Sequence, residues 1–218
     1  MDAMPGAMIE QSAGDGTSRG KPATSILTGI VINNFDSLAQ GKVLVRLPAI
    51  DQEVWARLTG IGGGPGTGMF HAPNIDDEVL VAMNQNSPED AFVLGGLWST
   101  LDRPPVSVPG EALFKRTYRT GLPKVPLGHE VEFDDAKQSI TVTTSTKQTI
   151  TMDPEKIELK ATGGQVSITL NVLTQSISIK GVAKIELEAL GEISLSAAKI
   201  SINGDVLTEI KGGIVMIN

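Results

Sequence analysis

From Glu130 to the end of the chain, apolar and polar side chains alternate with a period of two. The apolar pairs are Ile140/Val142, Ile150/Met152, Ile157/Leu159, Ile168/Leu170, Ile177/Ile179, Ile185/Leu187, Ile193/Leu195 and Ile200/Ile202. Successive pairs begin 10, 7, 11, 9, 8, 8 and 7 residues apart, a loose repeat near eight, with Ser, Thr, Lys, Glu, Gly and Asn between them. A period of two is the mark of a strand with one apolar face. Each unit is therefore read as a strand of about five residues that sends two aliphatic side chains one way and polar ones the other. Two aliphatic side chains cannot offset the ordering entropy of one strand. Neighbouring units must cover it, so residues 130–218 are read as a repeat architecture.

The preceding segments follow other rules. Residues 25–101 contain five short β runs (26–32, 42–48, 53–58, 78–83 and 91–97) divided by Gly, Pro, Asn and Asp, with no helical period. That pattern predicts a small antiparallel barrel. Within it, Val43, Val45 and Leu47 face one way, Leu44 and Arg46 the other, and Pro48 ends the ladder. Residues 102–129 hold Pro104, Pro105, Pro109, Pro123 and Pro126 and read as an extended connector. Residues 1–24, rich in glycine and small polar side chains, read as a flexible arm.

Composition sharpens the boundary. All eight aromatics of the 218 residues lie at or before Phe133, and the last 85 residues have none. Aromatics normally fill a globular core, so the repeat region has a core of another kind. Its strands can be covered by a single-chain solenoid or by several chains wound together. A left-handed solenoid keeps a hexapeptide period, which is absent, and a wide right-handed coil needs more than about eight residues per turn. Three chains contributing one strand each would close a narrow triangular prism that admits only thin side chains, which favours a homotrimer. The trimer core would then include Ile168, Leu170, Ile177, Ile179, Ile185, Leu187, Ile193, Leu195, Ile200 and Ile202. About ten strands per chain at ~4.8 Å per layer give a shaft of roughly 45–50 Å.

Charge and chemistry mainly exclude. The net charge is −7, and residues 25–101 carry Lys42, Arg46 and Arg57 against Asp36, Asp51, Glu53, Asp76, Asp77, Glu78, Glu89 and Asp90. Nucleic acid is not expected as a partner of such a surface. The absence of cysteine excludes disulfides and thiolate metal sites. No apolar run reaches the ~18–20 residues that cross a bilayer, and the first 24 residues lack the apolar stretch of a secretory leader. The glycine-rich loop 62–68 (GGGPGTG) is followed by Met69 and Phe70 rather than Lys-Ser/Thr, so it reads as a surface loop with positive φ and not as a phosphate cradle. Asp76-Asp77-Glu78 reads as a turn before a strand. His71 is expected to pack on the barrel or bind backbone, and His129 to make surface or inter-subunit hydrogen bonds. Glu186 and Glu188 form a solvated face on which Lys184 and Glu186 make a minor ion pair. No catalytic constellation and no cofactor or metal set is found, and the chain is not read as an enzyme.

The ordered series Gly29-Ile-Val-Ile-Asn-Asn34, Gly41-Lys-Val-Leu-Val-Arg-Leu-Pro48, Trp55-Ala-Arg57, the loop 62–68 with Phe70, Pro73-Asn-Ile-Asp-Asp-Glu-Val-Leu-Val-Ala82, Ala91-Phe-Val-Leu-Gly-Gly-Leu-Trp98 and Arg103-Pro-Pro105 resembles phage baseplate assembly protein V. The same segments resemble the spike part of VgrG proteins of type VI secretion. Gly128-His-Glu-Val-Glu-Phe-Asp-Asp135 is similar to the segment that opens the family's β-helix. The resemblance, which covers about residues 26–218, implies an all-β chain: an OB-fold collar followed by an intertwined, trimeric triple-stranded β-helix. It further implies the central spike of a contractile injection machine, assembled in the bacterial cytoplasm, docked to a baseplate hub and driven through a target envelope. The target membrane is then met only in passing.

Some short spikes of the family end in a His-x-His pair that encloses iron. No histidine follows His129, so that site cannot form here. The chain ends instead in Lys211-Gly-Gly-Ile-Val-Met-Ile-Asn218. By resemblance, Ile214, Val215, Met216, Ile217 and Asn218 would meet a separate PAAR-type tip protein; the plainer alternative is that they plug the prism. Because the chain begins almost at the collar, the separate-spike systems are favoured over a VgrG with its hub fused in front. Two other classes are weighed against the piercing spike. One is a trimeric tail fibre or receptor-binding protein that recognises a surface glycan. The other is a wall-cutting spike, which would need an added catalytic domain.

Overall fold

The computed structural model describes residues 25–106, 108–121 and 128–217. The proposed arm at residues 1–24, Pro123 and Pro126 of the connector, and Asn218 lie outside these residues. Five strands form a closed barrel: β1 (Ser25–Asn33), β2 (Lys42–Leu47), β3 (Gln52–Leu58), β4 (Glu78–Met83) and β5 (Ala91–Gly96). Their order is β1-β2-β3-β5-β4, with β1 also pairing β4. Each strand lies within one or two residues of its predicted run. One departure from the antiparallel expectation closes the barrel, because β3 and β5 pair in parallel. The 19 residues between β3 and β4 carry the chain across the barrel end and make that parallel pairing possible.

Alternation explains the barrel core. Val43, Val45 and Leu47 of β2 meet Val31, Val54, Ala56, Val79, Val81, Met83, Ala91 and Val93 in one buried cluster. Leu44 and Arg46, one residue out of phase, point away from it. Gly29 occupies the inward position between Leu27 and Val31. A Cβ there would lie 2.3 Å from Val45 Cγ1, so β1 can cross the core only as a glycine. In the 62–68 loop, Gly62, Gly66 and Gly68 take positive φ as the sequence anticipates. Gly68 sits at φ +119° with Gly62 O in the space a Cβ would need.

The second unit is a seven-stranded antiparallel meander: β6 (Lys115–Arg119), β7 (Glu130–Asp134), β8 (Ser139–Thr143), β9 (Thr149–Met152), β10 (Lys156–Lys160), β11 (Ser167–Asn171) and β12 (Ser176–Lys180). Two features differ from the sequence reading. First, the connector contains β6, which pairs with β7 along its whole length. The prolines cluster on either side of it, leaving a proline-free stretch in which Arg116 and Tyr118 alternate with polar neighbours. Second, the strands expected around Ile185/Leu187, Ile193/Leu195 and Ile200/Ile202 are not formed, and the described residues from 181 onward contain no strand. A strand exists only where another strand satisfies its backbone, and the single chain supplies none to this segment. No helix of the described residues is long and apolar enough to cross a membrane.

Two substitutions test the barrel core. Gly29→Ala should destabilise it by about 1–3 kcal/mol through overpacking. Leu47→Ala should cost about 2–5 kcal/mol through the cavity it leaves. Both are read as a lowered urea midpoint of the barrel transition.

Candidate functional site

The register of the meander places one row of apolar side chains on a single face. Phe133 stands opposite Ile140, Val131 opposite Val142, and Val142 opposite Ile150. The row continues through Ile150 opposite Leu159 and Leu159 opposite Ile168. It ends with Ile168 opposite Ile179 and Leu170 opposite Ile177. These pairs realise the two-residue alternation strand by strand.

The other face is polar: Thr141, Thr151, Glu158, Thr169 and Ser178 succeed one another across it. Burial runs against polarity. Ile150 is 44 % exposed, Leu159 40 % and Leu170 39 %, whereas Ser167 is 8 % exposed. In β9 and β10 the threonines, lysines and Glu158 are partly covered while Ile150, Met152, Ile157 and Leu159 are more open. An aliphatic ladder that is continuous over six strands and open to water is far beyond the scattered apolar residues a monomer shows.

Four of the five hairpin turns from β7 to β12 are capped by a side chain. Asp134 Oδ1 accepts the Lys137 N–H at 2.9 Å, and Asp153 Oδ1 accepts those of Glu155 and Lys156, each at 2.8 Å. Thr144 Oγ1 accepts the Gln148 N–H at 3.1 Å, and Asn171 Oδ1 that of Thr174 at 2.8 Å. Gln138, Lys147 and Gln175 adopt positive φ at three of these turns, and Gly163 and Gly164 do so at the remaining turn, between β10 and β11. On the polar face, Lys160 at 2.9 Å and Lys156 at 3.2 Å flank Glu158 and hold its carboxyl below the usual range, chiefly through the Lys160 hydrogen bond.

The barrel and the sheet meet at the end of the barrel where β1, β3 and β5 finish. His71 Nδ1 lies 3.1 Å from the Tyr118 hydroxyl, with the rings edge to face at 5.6 Å. His71 therefore bonds a side chain of β6, where the sequence suggested packing on the barrel or a bond to backbone. His129 joins its neighbours mainly through its backbone, its N–H reaching Thr120 Oγ1 at 3.1 Å. A groove of about 440 Å³ runs along this junction, lined by Val79, Val93, Leu97, Trp98, His71 and Tyr118 among others. Asp77 Oδ2 accepts the Asn74 N–H at 2.7 Å, closing a turn at Ile75-Asp76 just before β4, which Glu78 itself opens.

Residues 27–98 match the family model of the type VI secretion system/phage-baseplate injector OB domain. The barrel is thus similar to the injector OB domain of that family. The match spans β1 to β5 and ends at Trp98, where the barrel ends. No curated protein matches the chain. Within the barrel, sequence reasoning overlooked one arrangement on the outer wall. The Arg57 guanidinium lies 4.4 Å from the centre of the Phe92 ring and 2.7 Å from Asp90 Oδ1, while Asn84 Nδ2 donates to Asp90 Oδ2. Nothing in the local pattern signals it, because the four residues come together only when β3 and β5 pair.

The positions predicted for a trimer core divide. Ile168, Leu170, Ile177 and Ile179 stand together on the open apolar face. Ile185, Leu187, Ile193, Leu195, Ile200 and Ile202 lie in the segment without strands, each more than half exposed. Ile214, Val215, Met216 and Ile217 are exposed at the end of the described chain. Lys184 Nζ and Glu186 Oε2 lie 2.8 Å apart on the surface, the ion pair expected of them.

Asp134 gives a pH test of the meander. The Lys137 N–H and ammonium hold its carboxyl below the ordinary aspartate value, and the side chain is almost fully covered. A depressed carboxyl stabilises the fold above its unfolded pKa, and that contribution is lost as pH falls through the folded value. Asp134→Asn should therefore lower the thermal midpoint at about pH 7, and the difference from the parent should shrink as pH falls below the ordinary aspartate range. Thermal melts followed by circular dichroism would check this.

Proposed function

We propose that the chain is the trimeric central spike of a contractile injection machine, a component of a virion baseplate or injection particle. The observation that carries this reading is the open aliphatic face of β7 to β12, joined in one chain to an injector OB domain. Three copies packed about a threefold axis would turn these faces inward and bury them, closing a prism whose outer surface is the polar face. At ~25 cal/mol per Å² of apolar surface, burial on this scale is a driving force that an isolated chain forgoes. The triple-stranded β-helix implied by the family resemblance is the form such a prism takes.

The remaining roles follow from the two ends. β1 begins beside Met83, at the barrel end opposite the sheet, and residues 1–24 join the barrel there. That end is proposed to dock to the baseplate hub, with residues 1–24 reaching into it. At the far end, residues 214–218 are proposed to seat a PAAR-type tip protein that covers their apolar side chains. A shaft in which every strand is paired resists bending while a contracting sheath drives it through the envelope. No step in this role needs a catalytic group or a cofactor.

Size-exclusion chromatography with light scattering should give three times the chain mass, and electron microscopy a needle with a collar. A monomer with a folded sheet would overturn the reading. Replacing Ile177, Ile185 or Ile193 with Asp should abolish the trimer, because three unpaired charges would then meet at one level of the core. The barrel should retain its own unfolding transition in each variant.

A further inference from the structure

Strand β5 ends in Gly95-Gly96, which line the groove between barrel and sheet. Glycine weakens a strand, so a pair of them needs a cause. At Gly29 the cause is steric, because Val45 fills the space of a Cβ. At Gly95 a Cβ would meet nothing within 4 Å, and at Gly96 its nearest neighbour would be Glu78 O at an ordinary 3.9 Å. The register shift between Leu80 and Val81 puts a bulge at Leu94, and a bulge calls for glycine only where it needs positive φ. Neither glycine has one. The packing of the chain itself requires neither residue, and glycines of this kind mark a place where another backbone comes close.

The edge beside these glycines is open. β3 pairs with β5 through Arg57 and Phe92 and through Leu58 and Val93, and no further. Thr59 ends that pairing: its N–H reaches Val93 O at 3.2 Å, and its hydroxyl donates to the same oxygen at 2.7 Å. Among the described residues no strand covers that side of residues 94–96. On the other side Val79 faces Gly96, and the Leu97 N–H bonds Glu78 O at 2.9 Å. Bonded and non-bonded pairs alternate along an antiparallel ladder, so the Gly96 N–H and C=O turn away from β4 towards the open edge. The groove of about 440 Å³ runs along this edge, with Met69, Val93, Trp98 and Tyr118 among its apolar walls. Asp77, Glu78 and Asp102 stand along it, whereas the Arg119 guanidinium is tied to Glu130.

We propose that this groove docks an extended peptide segment of a partner protein, which adds to the free edge of β5. The peptide backbone exchanges hydrogen bonds with Gly96, and the bare backbone at Gly95 and Gly96 leaves room for it. Its alternate apolar side chains rest on Val93, Trp98 and Tyr118. The carboxylates along the groove select a cationic side chain in the peptide. This site needs only the barrel and β6 of one chain, so it stands apart from the trimeric spike and from both of its proposed ends.

Fluorescence polarisation on the full-length chain tests this with capped, labelled peptides: Lys-Val-Thr-Val-Lys, Lys-Val-Pro-Val-Lys and Glu-Val-Thr-Val-Glu. The first should bind saturably and protect the amides of residues 94–96 from hydrogen exchange. The central proline, which lacks the N–H donor, and the reversal of charge should each weaken binding about tenfold. Gly95→Val should weaken the first peptide about tenfold by filling the space of its backbone, while the urea midpoint of the barrel holds, since the new side chain enters open space. Trp98→Ala, at a side chain 67 % exposed, should weaken it without touching the barrel core. Equal binding of the proline peptide, or full affinity in Gly95→Val, would overturn strand addition, and no saturable binding of the first peptide would overturn the site. Amides of residues 94–96 already protected before peptide is added would mean that a second copy fills the groove, which sinks the proposal as well. Light scattering on the same samples reads the trimer separately, so the spike stands or falls on its own result.

Discussion

A sheet one layer thick with an aliphatic row along one face cannot stand alone in water, and most of this molecule answers to that constraint. The row is built from residues directly opposite one another in the ladder, from Phe133 and Ile140 to Leu170 and Ile177. Every side chain in it after Phe133 is aliphatic, and none is an aromatic ring. Such side chains are narrow enough to meet at a threefold axis, and the alternation that aligns them leaves Thr, Ser, Lys and Glu for the outside. The proposed prism removes the conflict between polarity and exposure that the lone sheet shows.

The barrel solves the same problem differently. Its five strands close on themselves, so Val31, Val45, Leu47, Val79 and Val81 find cover within the chain and are fully buried. Closure depends on local permissions: Gly29 lets β1 pass Val45, and the long β3–β4 connection brings β5 beside β3 in parallel. One chain therefore joins a unit that is complete alone to one that is not. A structural component that must assemble in copies while presenting an independent collar is well served by that division.

The polar face of the sheet contributes little energy through its charges. The Lys156–Glu158–Lys160 cluster and the Lys184–Glu186 pair stand in or near solvent, where screening keeps such pairs weak. In the proposed prism their value lies in keeping the outer surface soluble and in opposing the wrong register, since a slip of one residue would bury them and expose the aliphatic row. Asp134 is the exception, a covered carboxylate that fixes the β7–β8 turn through Lys137.

Much of this was legible in the chain alone. The five barrel runs, the alternating apolar pairs and the loss of aromatics after Phe133 all follow from one-dimensional patterns, because strand periodicity and side-chain width are properties of single residues and their spacing. The glycine loop and the Asp77 turn were readable for the same reason, their conformations being local. Other features required the folded chain. The β3–β5 parallel closure, the Arg57–Phe92–Asp90 arrangement and the His71–Tyr118 contact join residues far apart in sequence, and no local pattern encodes which distant strands become neighbours. β6 was obscured by the prolines around it until β7 supplied its ladder. The segment after Lys180 shows the limit most clearly: alternation determines which side chains share a face, but a strand forms only when a partner backbone is present to bond it.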